Sequence, residues 1–144
     1  MRKFIGSCIV AIAAALPAME AAAETWLQCT LVEQGDGIHA YFRQSPHDRI
    51  FVFDETAQTF GEYRANRLYP CSCQSCIQNN KIWPAECSRP GLDTQVDMDR
   101  ISGRITLADY PPVPPGSSVR AEDMRWERGS CAKIQPLPLA PRQF

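Results

Sequence analysis

The sequence predicts an all-β protein: a small antiparallel sandwich or barrel with a disulfide-stapled loop and little helix. Three observations favour this class. Apolar and polar residues alternate in short segments that turn residues separate, which is typical of half-buried strands. Eleven of the twelve prolines lie beyond position 23, which argues against long helices. Six of the seven cysteines lie in the same part of the chain, and four of them fall within one short segment.

The first 23 residues have the layout of an export signal. Arg2 and Lys3 precede an apolar run from Phe4 to Leu16, and Ala21–Ala23 offers the small residues that a signal peptidase recognises. The apolar run is shorter than the ~20 residues that a membrane-spanning helix needs. We therefore expect cleavage after Ala23 and a periplasmic or secreted protein.

The remaining chain has the size of one domain. Residues 24–135 are predicted to form a single exported β domain, and residues 136–144 a loose, proline-rich tail. Beyond position 23 there are 13 Lys and Arg against 15 Asp and Glu, and both signs are interspersed as on an ordinary solvated surface. This balance does not favour nucleic acid as a partner. No later segment has the apolar length for membrane insertion.

The first half of the domain reads as strands and turns. Residues 26–33 alternate as a half-buried strand, and Gly35–Gly37 predicts a turn. Residues 49–53 are, apart from Arg49, β-branched or aromatic, as in a strand buried on both faces. The polar residues 54–58 would then connect this strand to residues 59–63 in a hairpin.

The second half continues the pattern beyond the cysteine-rich segment. Residues 94–99 and 103–108 alternate again. Between them the sequence allows either a hairpin connection with Gly103 at positive φ or one continuous strand with a bulge at Gly103. Residues 109–116 contain four prolines and must be extended or turning. Residues 119–128 fit either a strand or a helical turn.

The cysteines of an exported protein usually form structural disulfides. The six are Cys29, Cys71, Cys73, Cys76, Cys87 and Cys131, and six cysteines allow 15 pairings. We favour a Cys29–Cys131 bridge, which would join the first strand to the end of the folded part. The other four would then pair locally and hold an otherwise irregular loop.

Two other functions of the cysteine segment remain open. Cys71, Cys73, Cys76 and Cys87 could supply thiolates to zinc or copper(I), although their spacing differs from the paired CxxC of zinc ribbons. His39 and His47 lie too far apart in another segment to complete such a site, so we predict no metal ligands. Cys73 and Cys76 form a CxxC, but no strand-to-helix pattern of the thioredoxin type surrounds it.

The sequence contains no catalytic constellation, phosphate loop or metalloprotease motif, and we predict no catalytic residue and no cofactor. Trp83 lies between Cys76 and Cys87, where a bridge would hold its loop in one conformation and favour binding. Trp83, Lys81 and Tyr69 are therefore candidate contacts for a protein or cell-envelope partner. The alternative is that Trp83 covers the core beneath the loop. The sequence thus favours a non-enzymatic binding protein, with thiol-based redox or metal handling as the alternative.

Overall fold

The structure, a computed structural model, describes residues 24–36 and 41–141. The predicted export signal and the last three residues of the predicted tail lie outside this range. Eight strands make up most of the described chain, and a short 3-10 turn spans Ala121–Asp123. The strands are β1 (Thr25–Asp36), β2 (Phe42–Asp54), β3 (Thr59–Arg64), β4 (Arg67–Cys71), β5 (Lys81–Arg89), β6 (Leu92–Asp99), β7 (Arg104–Tyr110) and β8 (Arg125–Ile134).

The strands form one antiparallel sheet in the order β4-β3-β2-β1-β8-β7-β6-β5. Consecutive strands pair with each other except β4 and β5, and β1 also pairs with β8. The sheet therefore curls into a nearly closed up-and-down barrel, with its seam between β4 and β5. This confirms the predicted all-β fold class and selects a barrel over a sandwich.

Apolar and polar residues alternate along each strand, and the apolar side chains point into the barrel and form its core. On β1, Leu27, Cys29 and Leu31 are buried in the core cluster, while Gln28 and Thr30 between them are not. The other strands contribute the rest of the core in the same way. Its fully buried apolar side chains include Phe51, Ile82, Val96, Met98, Ile105 and Leu107.

Both open questions in the second half of the domain are settled by the structure. Residues 99–103 form a turn between β6 and β7, with Gly103 at a φ of +72°, so the hairpin connection is confirmed and the continuous strand is not formed. Residues 119–128 combine both possibilities, because the 3-10 turn is followed directly by β8.

Strand β4 borders the segment that was predicted to be an irregular loop, and β5 covers its second half. β4 and β5 occupy much of the segment around Cys71 and Cys87, and both belong to the barrel wall. Pro70 and Pro84 fall inside these strands, and a proline inside a strand argues against one because it cannot donate to the sheet. Both strands lie at the seam, where a missing donor can be tolerated. The prediction of an irregular loop therefore holds for residues 72–80 and was wrong for residues 81–87, which lie in β5.

Three disulfide bonds join the six cysteines, as expected for a disulfide-stabilised domain. Cys29 and Cys131 are direct partners on β1 and β8, with their Cα atoms 3.9 Å apart. Cys71 bridges to Cys87 across the seam between β4 and β5. Cys73 and Cys76 pair within the connection that joins these two strands.

The seam is closed at one point of its length. Ser72 and Glu86 exchange two backbone hydrogen bonds, of 2.7 and 3.0 Å, next to the Cys71–Cys87 bridge. Continuing this register would set Pro70 opposite Ser88 and Leu68 opposite Pro90. Neither proline has an N–H to donate, so the pairing stops at the disulfide. Towards the β3–β4 turn the seam is therefore open.

The proline-rich C-terminal segment contacts the outside of the barrel. The Tyr63 hydroxyl donates a hydrogen bond of 2.6 Å to the Pro138 carbonyl. The Ala140 N–H donates one of 2.7 Å to the carbonyl of Asn66 in the β3–β4 turn. The described part of the predicted tail is thus tied to β3 and its turn. Among the described residues, no helix has the length and apolar character that crossing a membrane requires.

Candidate functional site

The two ends of the barrel differ in chemistry. At one end, here called the plugged end, the connection between β4 and β5 (residues 72–80) packs into the barrel opening. At the other end, here called the charged end, the inward-facing side chains are ionised or polar rather than apolar. Because neighbouring strands run in opposite directions, the β2–β3 and β6–β7 turns lie at the plugged end. The β3–β4 and β5–β6 turns lie at the charged end.

The connection formed by residues 72–80, here called the plug, is held by buried side chains and by hydrogen bonds to its neighbours. Cys76 is completely buried and Ile77 is nearly so, and both belong to the hydrophobic core. The side-chain amide of Gln58 accepts a hydrogen bond from the Ile77 N–H and donates one to the Ile77 carbonyl, at 3.3 and 3.2 Å. The Trp83 N–H donates to the Cys76 carbonyl at 2.8 Å. The plug is therefore part of the folded core.

Arg100 ties the plug to two turns. Its guanidinium donates to the Gln78 carbonyl and pairs with the Glu55 carboxylate at 2.9 Å. A hydrogen bond and the positive charge of Arg100 lower the pKa of Glu55. Asp99 accepts the N–H groups of Ser102 and Ile101, which lower its own pKa. The turns around the plug thus have one defined arrangement.

Two large apolar side chains are exposed at the plugged end. Trp83 is 42% exposed on β5 and Ile101 is 83% exposed at the tip of the β6–β7 turn. The Lys81 ammonium lies 4.8 Å from the centre of the Trp83 ring. A groove of about 400 Å³ runs beside Ile101, with Met98 and Lys133 in its lining. This end therefore offers apolar contacts on a disulfide-supported frame.

The structure brings together two of the three predicted partner contacts. Lys81 and Trp83 are neighbours, but Tyr69 lies on β4 on the charged-end side of the Cys71–Cys87 bridge, where the Arg64 guanidinium stacks 4.1 Å from its ring centre. Tyr69 therefore belongs to a different surface. The Trp83 ring is 42% exposed, so part of it is available to a partner while the rest is covered by the protein.

The charged end contains a buried ion-pair network that sequence reasoning missed. Arg49 is 8% exposed inside the barrel, and its Nε donates to the Glu62 carboxylate at 2.9 Å. Its terminal nitrogens lie 3.4 Å from Asp109 and from the Thr94 hydroxyl. The Thr94 hydroxyl in turn donates a hydrogen bond to the Asp109 carboxylate. Arg49 therefore links strands β2, β3, β6 and β7 across the barrel interior.

A second buried carboxylate lies beside this network. Glu127 on β8 is 2% exposed, and its Oε1 accepts hydrogen bonds from Arg125 at 3.0 Å and Gln44 at 3.3 Å. His47 Nε2 lies 3.2 Å from the same oxygen. Together with the Arg49 network it borders an open cavity of about 430 Å³. The charges predicted to lie on a solvated surface thus include four that are buried, Arg49, Glu62, Asp109 and Glu127.

The sequence did contain a signal for this network. In each strand the polar residue is in phase with the inward apolar row, as Arg49 is with Phe51 and Glu62 is with Phe60. Asp109 similarly follows the row of Ile105 and Leu107. In an up-and-down barrel these positions all fall at one end. The position of these polar residues in the inward-facing rows predicts a shared charged site only when the strand order is known.

The cysteines do not form a metal site in the described residues, where no group of three or more His, Cys, Asp or Glu side chains could hold an ion. A metal would need the thiolates that the Cys71–Cys87 and Cys73–Cys76 bonds occupy. Cys73 is partly exposed and Cys76 buried, so the CxxC can be reached by solvent on one side. The redox alternative therefore depends on reduction of that bond.

No protein-family model, curated protein or solved structure matches this chain. The functional assignment therefore depends on the geometry of the two barrel ends.

Proposed function

We propose that the protein is an exported, non-enzymatic binding protein of the periplasm or extracellular space. Its partner is a protein of the cell envelope, and its binding surface is the plugged end, with Trp83, Ile101 and Lys81 as contacts. Export is supported by the signal-like first 23 residues and by three disulfide bonds, which persist in oxidising compartments.

The observation that carries this proposal is the exposure of Trp83 and Ile101 on a rigid support. Aromatic side chains dominate the energy of protein interfaces, and a preordered surface loses little entropy on binding. The Cys71–Cys87 and Cys73–Cys76 bonds, with Arg100, supply that order. The groove beside Ile101 has room for a side chain of the partner.

The alternative, a thiol-dependent function of Cys73 and Cys76, has one supporting observation, the partial exposure of Cys73. Reactive CxxC motifs are typically placed at the start of a helix. Here the described helical structure is limited to Ala121–Asp123, far along the chain from the motif. Apolar binding at the plugged end is the better-supported function.

A photo-crosslinking amino acid at Trp83 or Ile101 will test this proposal in cells that export the protein. We expect both positions to crosslink to the same envelope protein. The matched control is Leu68 near the β3–β4 turn at the charged end, which is 37% exposed and so similar to Trp83. With the purified partner, Trp83→Ala should weaken binding at least about 10-fold, as for an interface hot spot. Equal crosslinking from Leu68, or no crosslink from either position, contradicts the proposal.

A further inference from the structure

The arginines at the charged end outnumber the carboxylates that they face. Arg49, Arg64 and Arg89 all lie within 4 Å of Glu62, whose side chain is 2% exposed. Asp109 is the second carboxylate of this group and pairs with Arg49. Three guanidinium groups thus share two carboxylates in the barrel interior. Since arginine stays protonated in proteins, one positive charge is left without a counter-charge in this group.

The hydrogen bonds of the group are also incomplete. Glu62 Oε2 lies 3.3 Å from Arg64 Nε and 3.8 Å from Arg89 Nε, but none of these three buried atoms makes a hydrogen bond to any of the described residues. A buried polar atom without a partner costs free energy, so such atoms mark places where a ligand or water belongs. Two of the three atoms, Arg64 Nε and Arg89 Nε, are donors without an acceptor in hydrogen-bonding geometry.

The position of the two arginines makes them accessible. Arg64 and Arg89 are 28% and 24% exposed and line the cavity of about 430 Å³ at the charged end. Arg64 is on β3 and Arg89 on β5, so they face each other across β4 and the part of the seam that Pro70 leaves unpaired. Burial and repulsion from Arg49 lower the pKa of Arg89, consistent with a site in which positive charge is crowded.

We propose that the charged end binds an oxyanion of the phosphate type between Arg64 and Arg89. Guanidinium groups hold phosphate oxygens through paired, charge-assisted hydrogen bonds. A monoanion there would balance the single excess positive charge, and its oxygens would supply acceptors to the incomplete donors. The cavity is larger than one phosphate group, so either free phosphate or the phosphate of a small organic ester fits. Glu62 competes with the anion for the same guanidinium groups.

The site is independent of partner binding at the plugged end, because it lies at the opposite end of the barrel. Calorimetric titration in a phosphate-free buffer of constant ionic strength should detect binding of inorganic phosphate. Glycerol 1-phosphate serves as the second probe. Tighter binding of the ester identifies an organic phosphate as the natural ligand, and equal binding identifies free phosphate.

Variants separate a defined site from general electrostatic attraction. Arg89→Gln and Arg64→Gln should each weaken phosphate binding at least tenfold. Arg104→Gln, which removes the same charge from an exposed position at the plugged end, should leave it unchanged. Glu62→Gln should strengthen binding at least threefold, because it removes the competing carboxylate. A purely structural role for Glu62 would not produce this gain.

The proposal is overturned if wild-type protein shows no binding of either probe. It is also overturned if Arg104→Gln weakens binding as much as Arg89→Gln does, or if Glu62→Gln weakens it. Because Arg64 and Arg89 are tested separately, a folding defect in one variant leaves the other to decide.

Discussion

Replacing both Cys29 and Cys131 with alanine will lower the free energy of unfolding by about 3–5 kcal/mol. The bond connects positions 102 residues apart and joins the first strand of the barrel to the last. In the chain-entropy treatment, a cross-link that closes a loop of about 100 residues stabilises a fold by ~4.7 kcal/mol. Loss of the buried Cys29 sulfur from the core adds to the effect. Urea unfolding followed by tryptophan fluorescence measures the change.

The other two disulfides provide matched controls for this prediction. The Cys71–Cys87 bond spans 16 residues and should contribute about 3 kcal/mol, while the Cys73–Cys76 bond spans 3 and should contribute about 2 kcal/mol. The expected order of destabilisation by paired alanine substitutions is therefore Cys29–Cys131, Cys71–Cys87, Cys73–Cys76. A larger loss from the short bond than from the long one would contradict the proposed basis of stability.

Substituting Gly129 with alanine will prevent accumulation of the folded barrel, with a loss above about 4 kcal/mol. Gly129 on β8 lies opposite Leu31, where β1 carries an irregularity between Leu31 and Glu33. A Cβ atom at Gly129 would lie 1.9 Å from the Thr30 carbonyl oxygen and 2.8 Å from the Leu31 Cα. Both contacts are with backbone, so no side chain can move aside to relieve them. Glycine in a strand commonly marks such a close approach.

Gly116→Ala is the control for this substitution. Nothing lies within 4 Å of the position a Cβ would take at Gly116, but its φ is +82°. The cost there is that of the left-handed backbone alone, about 1–2 kcal/mol. The melting temperature should therefore fall by only several degrees for Gly116→Ala, with exported protein still recovered, whereas Gly129→Ala should give little folded protein. A Gly129→Ala protein with an unchanged melting temperature would show that β1 and β8 pack less closely than described.

The parts of the fold with regular alternation could be predicted from the sequence. Residues 26–33, 49–53, 94–99 and 104–108 lie within strands, and the hairpin, one of two connections predicted at Gly103, is the one formed. The Cys29–Cys131 pairing agrees with the position of both residues at the ends of the folded chain. The strands and the turn depend on the local sequence pattern, and the disulfide depends on one pair of distant residues.

The wall at the seam could not be predicted in the same way. β4 and β5 contain prolines and cysteines that interrupt alternation, so their strand conformation depends on the neighbouring β3 and β6 and on the Cys71–Cys87 bond. By contrast, the proximity of Lys81 and Trp83 could be expected, because the two residues are close in sequence. Tyr69 is only two residues from Cys71, yet it contacts Arg64 at the charged end.

The buried charged residues inside the barrel could be grouped only from the order of the strands. Arg49, Glu62 and Asp109 each resemble a surface residue at the end of an apolar row, and their partners are 13 to 60 residues away. Only the order of the strands places them at one end of the same barrel. Sequence reasoning therefore identified the plugged-end residues Trp83 and Lys81 but did not identify the arginine group.

We propose that all six sulfurs are structural and that the protein is a binding scaffold rather than a thiol enzyme. Intact mass and disulfide mapping of the protein recovered from a periplasm, under native and reducing conditions, test this most directly. We expect an N-terminus at Glu24, bonds between Cys29 and Cys131, Cys71 and Cys87, and Cys73 and Cys76, and a gain of two hydrogens per bond on reduction. Free thiols at Cys73 and Cys76, or the added mass of a metal in the native spectrum, would contradict the claim and identify the cysteine segment as the active site.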